Sequence, residues 1–201
     1  DLLAIYPAND PRERLYSIGN INGNIQLAIK LHPSGLGSGY LYNLEPGEVI
    51  KARIIKNPSF HFPKRASKVA LISNGTGIAP FLGMLQQNKK KTEIHLYCGF
   101  RRATETVLGY KKFANEMIEK QQLQSFHLAL SREEEHQHVM DLIKHDAAFF
   151  IDLLTNGGIV MICGSLAMQK DVETVLDNIL FQTSSTISDY KAKGQVLTDC
   201  Y

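Results

Sequence analysis

The spacing of apolar and polar positions changes about a third of the way along the chain. Up to residue 64 the apolar residues come in short runs broken by Asn, Gly and Pro. That is the punctuation of short strands. Strands are predicted over residues 2–6, 14–18, 25–31 and 49–56, with a short helix over 38–44 ended by Pro46 and Gly47. The run N-P-S-F-H-F-P-K over 57–64, with Pro58 and Pro63, reads as a crossing between two domains, 1–64 and 65–201. Beyond Lys68 short apolar runs alternate with longer stretches of helical spacing. Strands are predicted over 69–73, 93–98, 125–130, 159–163 and 195–198. Helices fall over 78–87, 105–121, near 138–155, 166–181 and 185–193. This alternation predicts an α/β fold with a parallel sheet of five or six strands and helices on both faces. Ligands of such sheets sit beyond the carboxyl ends of the strands, which singles out the loops 74–77, 99–104, 131–138 and 163–168.

One of these loops has chemistry of its own. V-A-L-I-S-N-G-T-G-I-A-P-F, Val69 to Phe81, reads as a buried strand, a glycine turn and a helix start. Free N–H groups and a helix dipole would there point at one spot, which suits a diphosphate. The spacing is G-x-G-x-x-P, not the dinucleotide fingerprint, and a purely structural turn reads equally well. R-L-Y-S, Arg14 to Ser17, would put Arg14 and Tyr16 on one face of a strand and Ser17 on the other. An exposed strand with a half-buried tyrosine is the plain reading. A cation, an aromatic plane and a hydroxyl in fixed register is the functional one. G-L-G-S-G-Y-L, from Gly35, is a second glycine turn running into a helix, with Ser38 as a candidate cap or the N–H groups as a second diphosphate site.

Composition narrows the classes. The chain has 201 residues with 44% hydrophobic and 21% charged positions and a formal net charge of +2, so charge alone implies no nucleic-acid partner. No stretch is long enough to span a bilayer, and no signal peptide is visible. Three separated cysteines, Cys98, Cys163 and Cys200, argue against a disulfide framework and fit a reducing, cytoplasmic compartment. His136, His138 and His145 near Glu133, Glu134 and Glu135 lack a third ligand at convincing spacing, and no metal is predicted. Lys89, Lys90 and Lys91 read as a solvated loop. The opening D-L-L-A-I-Y-P has no start methionine and reads as a strand in progress, so a C-terminal piece of a longer protein is expected.

Taken in order, R-x-Y-S, G-x-x-S-x-Y-L, G-T-G-I-A-P-F, S-R-E, C-G-S and a terminal D-C-Y resemble the ferredoxin–NADP reductase module. The resemblance is closest to diflavin reductases of the sulfite reductase flavoprotein kind, and extends to modules fused behind flavodoxin and PepSY-type membrane domains. It implies that residues 1–64 are the C-terminal part of an antiparallel FAD-binding β-barrel and 65–201 an NADP-binding domain. Arg14 would pair with the FAD diphosphate, Tyr16 stack on the isoalloxazine and Ser17 hydrogen-bond near its hydride-accepting nitrogen. Ala28, Ile29 and Lys30 would flank the cofactor, and Gly35, Leu36, Gly37 and Ser38 hold the FAD diphosphate. Gly75, Thr76 and Gly77 would hold the nicotinamide nucleotide's diphosphate, with Met168 and Asp171 near it.

The same resemblance places Ser131 and Arg132 at the adenosine 2′-phosphate. The family adds Lys and Tyr there; this chain has Gln137 and His138, and His138 adds a cation only when protonated. Glu133 to Glu135 are expected to point to solvent. Cys163 would lie beside the nicotinamide, where many relatives have Asp two residues later and this chain has Ser165. Asp199 would lie near flavin and cysteine, and Tyr201 would cover the flavin face. A G-R-Y run that usually precedes this end is here Gly194, Gln195 and Val196. A loose terminus is the ordinary alternative for 198–201. Cys98 and Cys200 receive no role.

The expected activity is therefore NADPH-dependent reduction of FAD, with Ser17, Cys163 and Asp199 tuning the step and Tyr201 gating it. Electrons would pass to a partner FMN or flavodoxin-like domain or another one-electron acceptor. Membrane association would arise only through a preceding segment. An NADH-linked reductase and a non-catalytic or FAD-deficient nucleotide-binding module are the alternatives.

Overall fold

The computed structural model describes residues 1–7, 10–21, 23–90 and 92–201. Five strands build the central sheet: β6 (Lys68–Asn74), β7 (Glu93–Phe100), β8 (Ser125–Leu130), β9 (Ile159–Gly164) and β10 (Val196–Cys200). They are parallel, in the order β10-β9-β6-β7-β8. Chain order therefore reverses beside β6, with β7 on one side and β9 on the other. A crevice opens at the carboxyl ends of β6 and β9, where such sheets bind ligands.

The two faces of β6 explain its near-continuous apolar sequence. Ala70 and Ile72 belong to a core with residues of α4 (Val139–His145), α5 (Ala147–Thr155), α6 (Leu166–Leu180) and α7 (Ile187–Ala192). Val69 and Leu71 belong to another with α2 (Ala79–Gln86), α3 (Glu105–Glu119) and Phe60. A strand covered on both sides gains from apolar residues at every position. Several helices start where the sequence supplies a cap. Thr104 accepts from Val107 N at the head of α3, Ser165 from Met168 N at the head of α6, and Thr186 with Asp189 closes a capping box on α7.

The first third forms two smaller antiparallel pieces. β1 (Leu2–Ile5) lies between β2 (Arg14–Ser17) and β5 (Ala52–Ile55). The hairpin β3 (Gly19–Ile21) and β4 (Asn24–Gln26) packs on α2. A side chain at Gly19 would run into Ala79 O, and one at Gly83 would come within 2.7 Å of Asn20 N.

Element ends differ from the sequence expectation for identifiable reasons. The strand expected over 25–31 is paired only to Gln26, because β4 has β3 as its sole neighbour in that sheet and Ile25 is exposed. The strand expected over 49–56 pairs only over Ala52–Ile55, its length set by β1. The helix expected over 38–44 is α1, Leu36–Tyr42. The helix expected from 78 is preceded by a 3-10 turn, Gly75–Ile78. Helices α4 and α5 meet at Asp146, and the final strand runs on to Cys200. Lys89 and Lys90 are exposed; Lys91 lies outside the described residues.

Candidate functional site

Pairing of β9 with β10 sets Asp199 opposite Cys163 and Cys200 opposite Gly164. Strand β2, from the first third, comes to the same point. Ser17 Oγ donates to Asp199 Oδ2 at 3.3 Å, and Asn57 Nδ2 donates to Asp199 Oδ1 at 3.1 Å. The Cys163 side chain is fully buried. Burial first, then the Asp199 carboxylate, push its thiol well above the ordinary range, against a smaller pull from Ser17. It is therefore a protonated thiol at neutral pH, suited to donate a weak hydrogen bond and not to act as a thiolate nucleophile.

Tyr201 closes this group on the cleft side. Its N–H donates to Gly164 O at 3.0 Å, and its hydroxyl lies 3.3 Å from Thr76 Oγ1. Tyr201 as a residue is 62% exposed and belongs to no buried core cluster. Residues 198–201 are thus ordered by β9, not loose.

The glycines of the turn after β6 do different things. Gly75 takes φ +52, with open space where a side chain would stand. Gly77 backs directly onto β9, and a Cβ there would collide with Cys163 O. At the end of β9, Gly164 takes φ +147 and a Cβ would run into Asn74 Oδ1. Asn74 and Ser165 are bonded in both directions: Asn74 Nδ2 to Ser165 Oγ at 3.1 Å, and Ser165 N to Asn74 Oδ1 at 3.0 Å. This pair latches β6 to β9 at the crevice and gives Ser165 a structural task.

In front of the turn opens a cleft of about 800 Å³. It gathers Ala28, Ile29, Lys30, Gly75, Thr76, Ser131, Arg132, His138, Met168, Asp171 and Tyr201 from the expected set. It also gathers Arg101 and Arg102, which the sequence reading left without a role although their loop lies at a strand's carboxyl end. Arg132 N donates to Arg101 O at 2.9 Å, so the two arginine loops are tied together. Lys30, Arg101, Arg102 and Arg132 set against Asp171 make a donor set suited to a polyanion, and the size suits a nucleotide. The expectation that Glu133 to Glu135 point to solvent holds for two of the three. Glu133 folds back to accept from Ala103 N, joining the same two loops, while Glu134 and Glu135 are exposed.

Arg14 and Tyr16 share a face, as alternation requires. A Cβ at Gly37 would lie 2.7 Å from the Tyr16 hydroxyl and 2.8 Å from Arg14 Cγ. The Arg14 guanidinium is engaged by Asp10 at 2.9 Å and donates to the Arg12 and Glu13 carbonyls. Ser38 does not cap α1. Its hydroxyl accepts from His32 N and donates to Gly35 O, and the N-cap position is Gly35. The N–H groups at the head of α1 are left without a side-chain cap. Gly35 and Leu36 line a smaller cleft of about 330 Å³. The Gly37–Tyr16 approach packs the head of α1 closely on β2.

Comparison with known proteins agrees with this geometry. Residues 71–174 match the family model described as the oxidoreductase NAD-binding domain. The chain is 35% identical over 159 residues to nitric oxide synthase of Anopheles stephensi, covering 73% of this chain and 13% of that protein. It is 29% identical to NADPH–cytochrome P450 reductase of Homo sapiens, covering 73% of this chain and 24% of that protein. It is 31% identical to the sulfite reductase [NADPH] flavoprotein alpha-component of Buchnera aphidicola, covering 73% and 25%. The chain thus spans a quarter or less of the length of these relatives. Matched over more than half its length, this chain belongs to the oxidoreductase NAD-binding domain family.

Proposed function

We propose that this chain is the reductase module of a flavoprotein in which NADPH reduces FAD and electrons pass on to a partner FMN domain or another one-electron acceptor. The observation that carries the reading is the junction at Asp199. A serine of the first-third sheet and a buried thiol of the parallel sheet meet one carboxylate. The thiol is next in the chain to Gly164 and the carboxylate is close to Tyr201, and both of these line a cleft with four cationic side chains. FAD, when bound, supplies the chemistry of accepting a hydride and releasing electrons singly.

The chain's own residues position and tune. Tyr16 offers a ring face and Ser17 a hydroxyl on opposite sides of β2. Lys30 and the 28–30 backbone border the cleft. Arg14 would serve a diphosphate by turning from Asp10, at the cost of one exposed-side ion pair. The turn after β6 presents its N–H groups to the nucleotide diphosphate, with Gly77 keeping that turn tight on β9. Tyr201 excludes water from the inner site until it rotates away, and Cys163 and Asp199 hold a thiol proton and a carboxylate side by side there.

NADPH is favoured over NADH by Arg132, with Ser131 beside it, although Gln137 and His138 replace a lysine and a tyrosine. The family's relatives named for NADPH support this choice. The full-length protein is expected to be yellow and to bleach faster with NADPH than with NADH. Arg132→Ala should weaken NADPH by about tenfold or more and leave NADH within about twofold. Equal bleaching by the two nucleotides in wild type would favour the NADH-linked reading. A colourless protein that still binds NADP would favour a non-catalytic module.

A further inference from the structure

Asn57 lies in the crossing between the first-third sheet and the parallel domain, and its side-chain amide is fixed at both ends. Ser59 Oγ donates to Asn57 Oδ1 at 2.7 Å, which dictates how the amide faces. Nδ2 is thereby turned to Asp199 Oδ1, 3.1 Å away. The other carboxylate oxygen accepts from Ser17 Oγ at 3.3 Å. Asp199 is thus held by two donors, one from the first-third sheet and one from the crossing itself.

The two donors differ in a way that matters. A serine hydroxyl has one proton to give. On the reading proposed above, Ser17 also serves the edge of the flavin ring, and it cannot donate to Asp199 at the same moment. Among the described residues Asn57 Nδ2 donates to Asp199 and to no other acceptor, and Ser59 sets the amide's orientation. We infer that Asn57 is a positioning residue that keeps Asp199 aligned opposite Cys163 while the Ser17 hydroxyl is engaged elsewhere. Rotation of Ser17 then leaves the carboxylate in place instead of freeing it. Because Asn57 belongs to the crossing, the same bond ties the alignment of Asp199 to how the two pieces of the chain sit together.

The inference rests on the proposed roles of Ser17 and Asp199, and its first test needs no turnover. In the full-length protein the carboxylate infrared bands of Asp199 can be picked out by difference against Asp199→Asn. They are expected to shift in Asn57→Ala. The second test is stopped-flow flavin reduction. Asn57→Ala is expected to slow it about tenfold, the worth of one charge-assisted hydrogen bond, with the NADP dissociation constant changed by less than about twofold. In an Asp199→Asn background the same substitution should cost no further rate. Unmoved bands, an unchanged rate, or losses that add in the double variant would overturn the inference. Asn57→Leu keeps the approximate volume without the donor, and it carries the test if Asn57→Ala emerges without flavin. Flavin loss in both variants would show a structural role and overturn the inference. A wild type that NADPH does not bleach would overturn the functional reading instead, and the infrared shift would still decide whether Asn57 holds Asp199.

Discussion

Cys163 is walled in by its own sheet. Gly77 presses on its carbonyl, β10 places Asp199 across from it, and burial keeps its thiol protonated. A protonated thiol can orient a ring and share a proton with a carboxylate, but contributes little to holding a nucleotide. Cys163→Ala is therefore expected to slow flavin reduction by about tenfold or more while the NADP dissociation constant stays within about twofold. Stopped-flow reduction and a binding titration check this; equal loss in both would remove Cys163 from the chemical step. At this scale the residue types were legible in sequence, since alternation put Ser17 opposite Arg14 and Tyr16 without help. Partners were not. Nothing in the local sequence shows that Asp10 occupies Arg14, that Glu133 turns back to Ala103, or that Asn57 reaches Asp199 across 142 positions. Such contacts depend on where two distant segments come to rest.

The turn between β6 and α2 shows how one element serves two purposes. Gly75 supplies a left-handed conformation, whereas Gly77 supplies absence of a side chain against β9. Gly77→Ala forces the turn off β9 and is expected to destabilise the protein by about 1–3 kcal/mol, read as a lower Tm and weaker NADP binding together. A second element-scale feature lies at the opposite end of the sheet. Ser125 Oγ sits 2.7 Å from both His95 Nδ1 and His127 Nε2. His127 stacks on Tyr97 at 4.3 Å and lies 3.7 Å from Asp146, where α4 meets α5. Burial lowers the His127 value; Asp146 opposes this, while His95 and His145 add to it. The folded protein thus resists a proton that the unfolded chain accepts. Stability from this group is intact above about pH 6.5 and is lost as pH falls from there toward the lower folded-state value. Denaturant midpoints at pH 7.5 and 5.5 should show the drop, and His127→Gln should reduce it. Element type was readable throughout the parallel domain because buried strands and amphipathic helices have distinct periods. Element ends in the first third were not, since each antiparallel strand stops where its neighbour stops.

The whole molecule is two antiparallel pieces fastened to a parallel nucleotide-binding sheet. The fastening is specific: the β3–β4 hairpin lies against α2 at Gly83, and Ser17 and Asn57 both reach Asp199. Gly83→Ala is expected to push the hairpin from α2. Hydrogen exchange in residues 19–26 should rise while β6 and β9 stay protected, and bound FAD should be released faster. Unchanged exchange in the hairpin would show that α2 does not anchor it. Among the described residues no helix is long and apolar enough to cross a membrane. The sequence by itself determined the α/β alternation, the loops at the carboxyl ends of the strands and the chemical identity of the side chains there. Local periodicity and turn chemistry carry that information within a dozen residues. Only the tertiary structure decided which loops share a cleft, which cations collect beside Arg132, and how a serine, an asparagine and a thiol converge on one carboxylate. Strand order and register set those distances, and they follow from how the whole core packs.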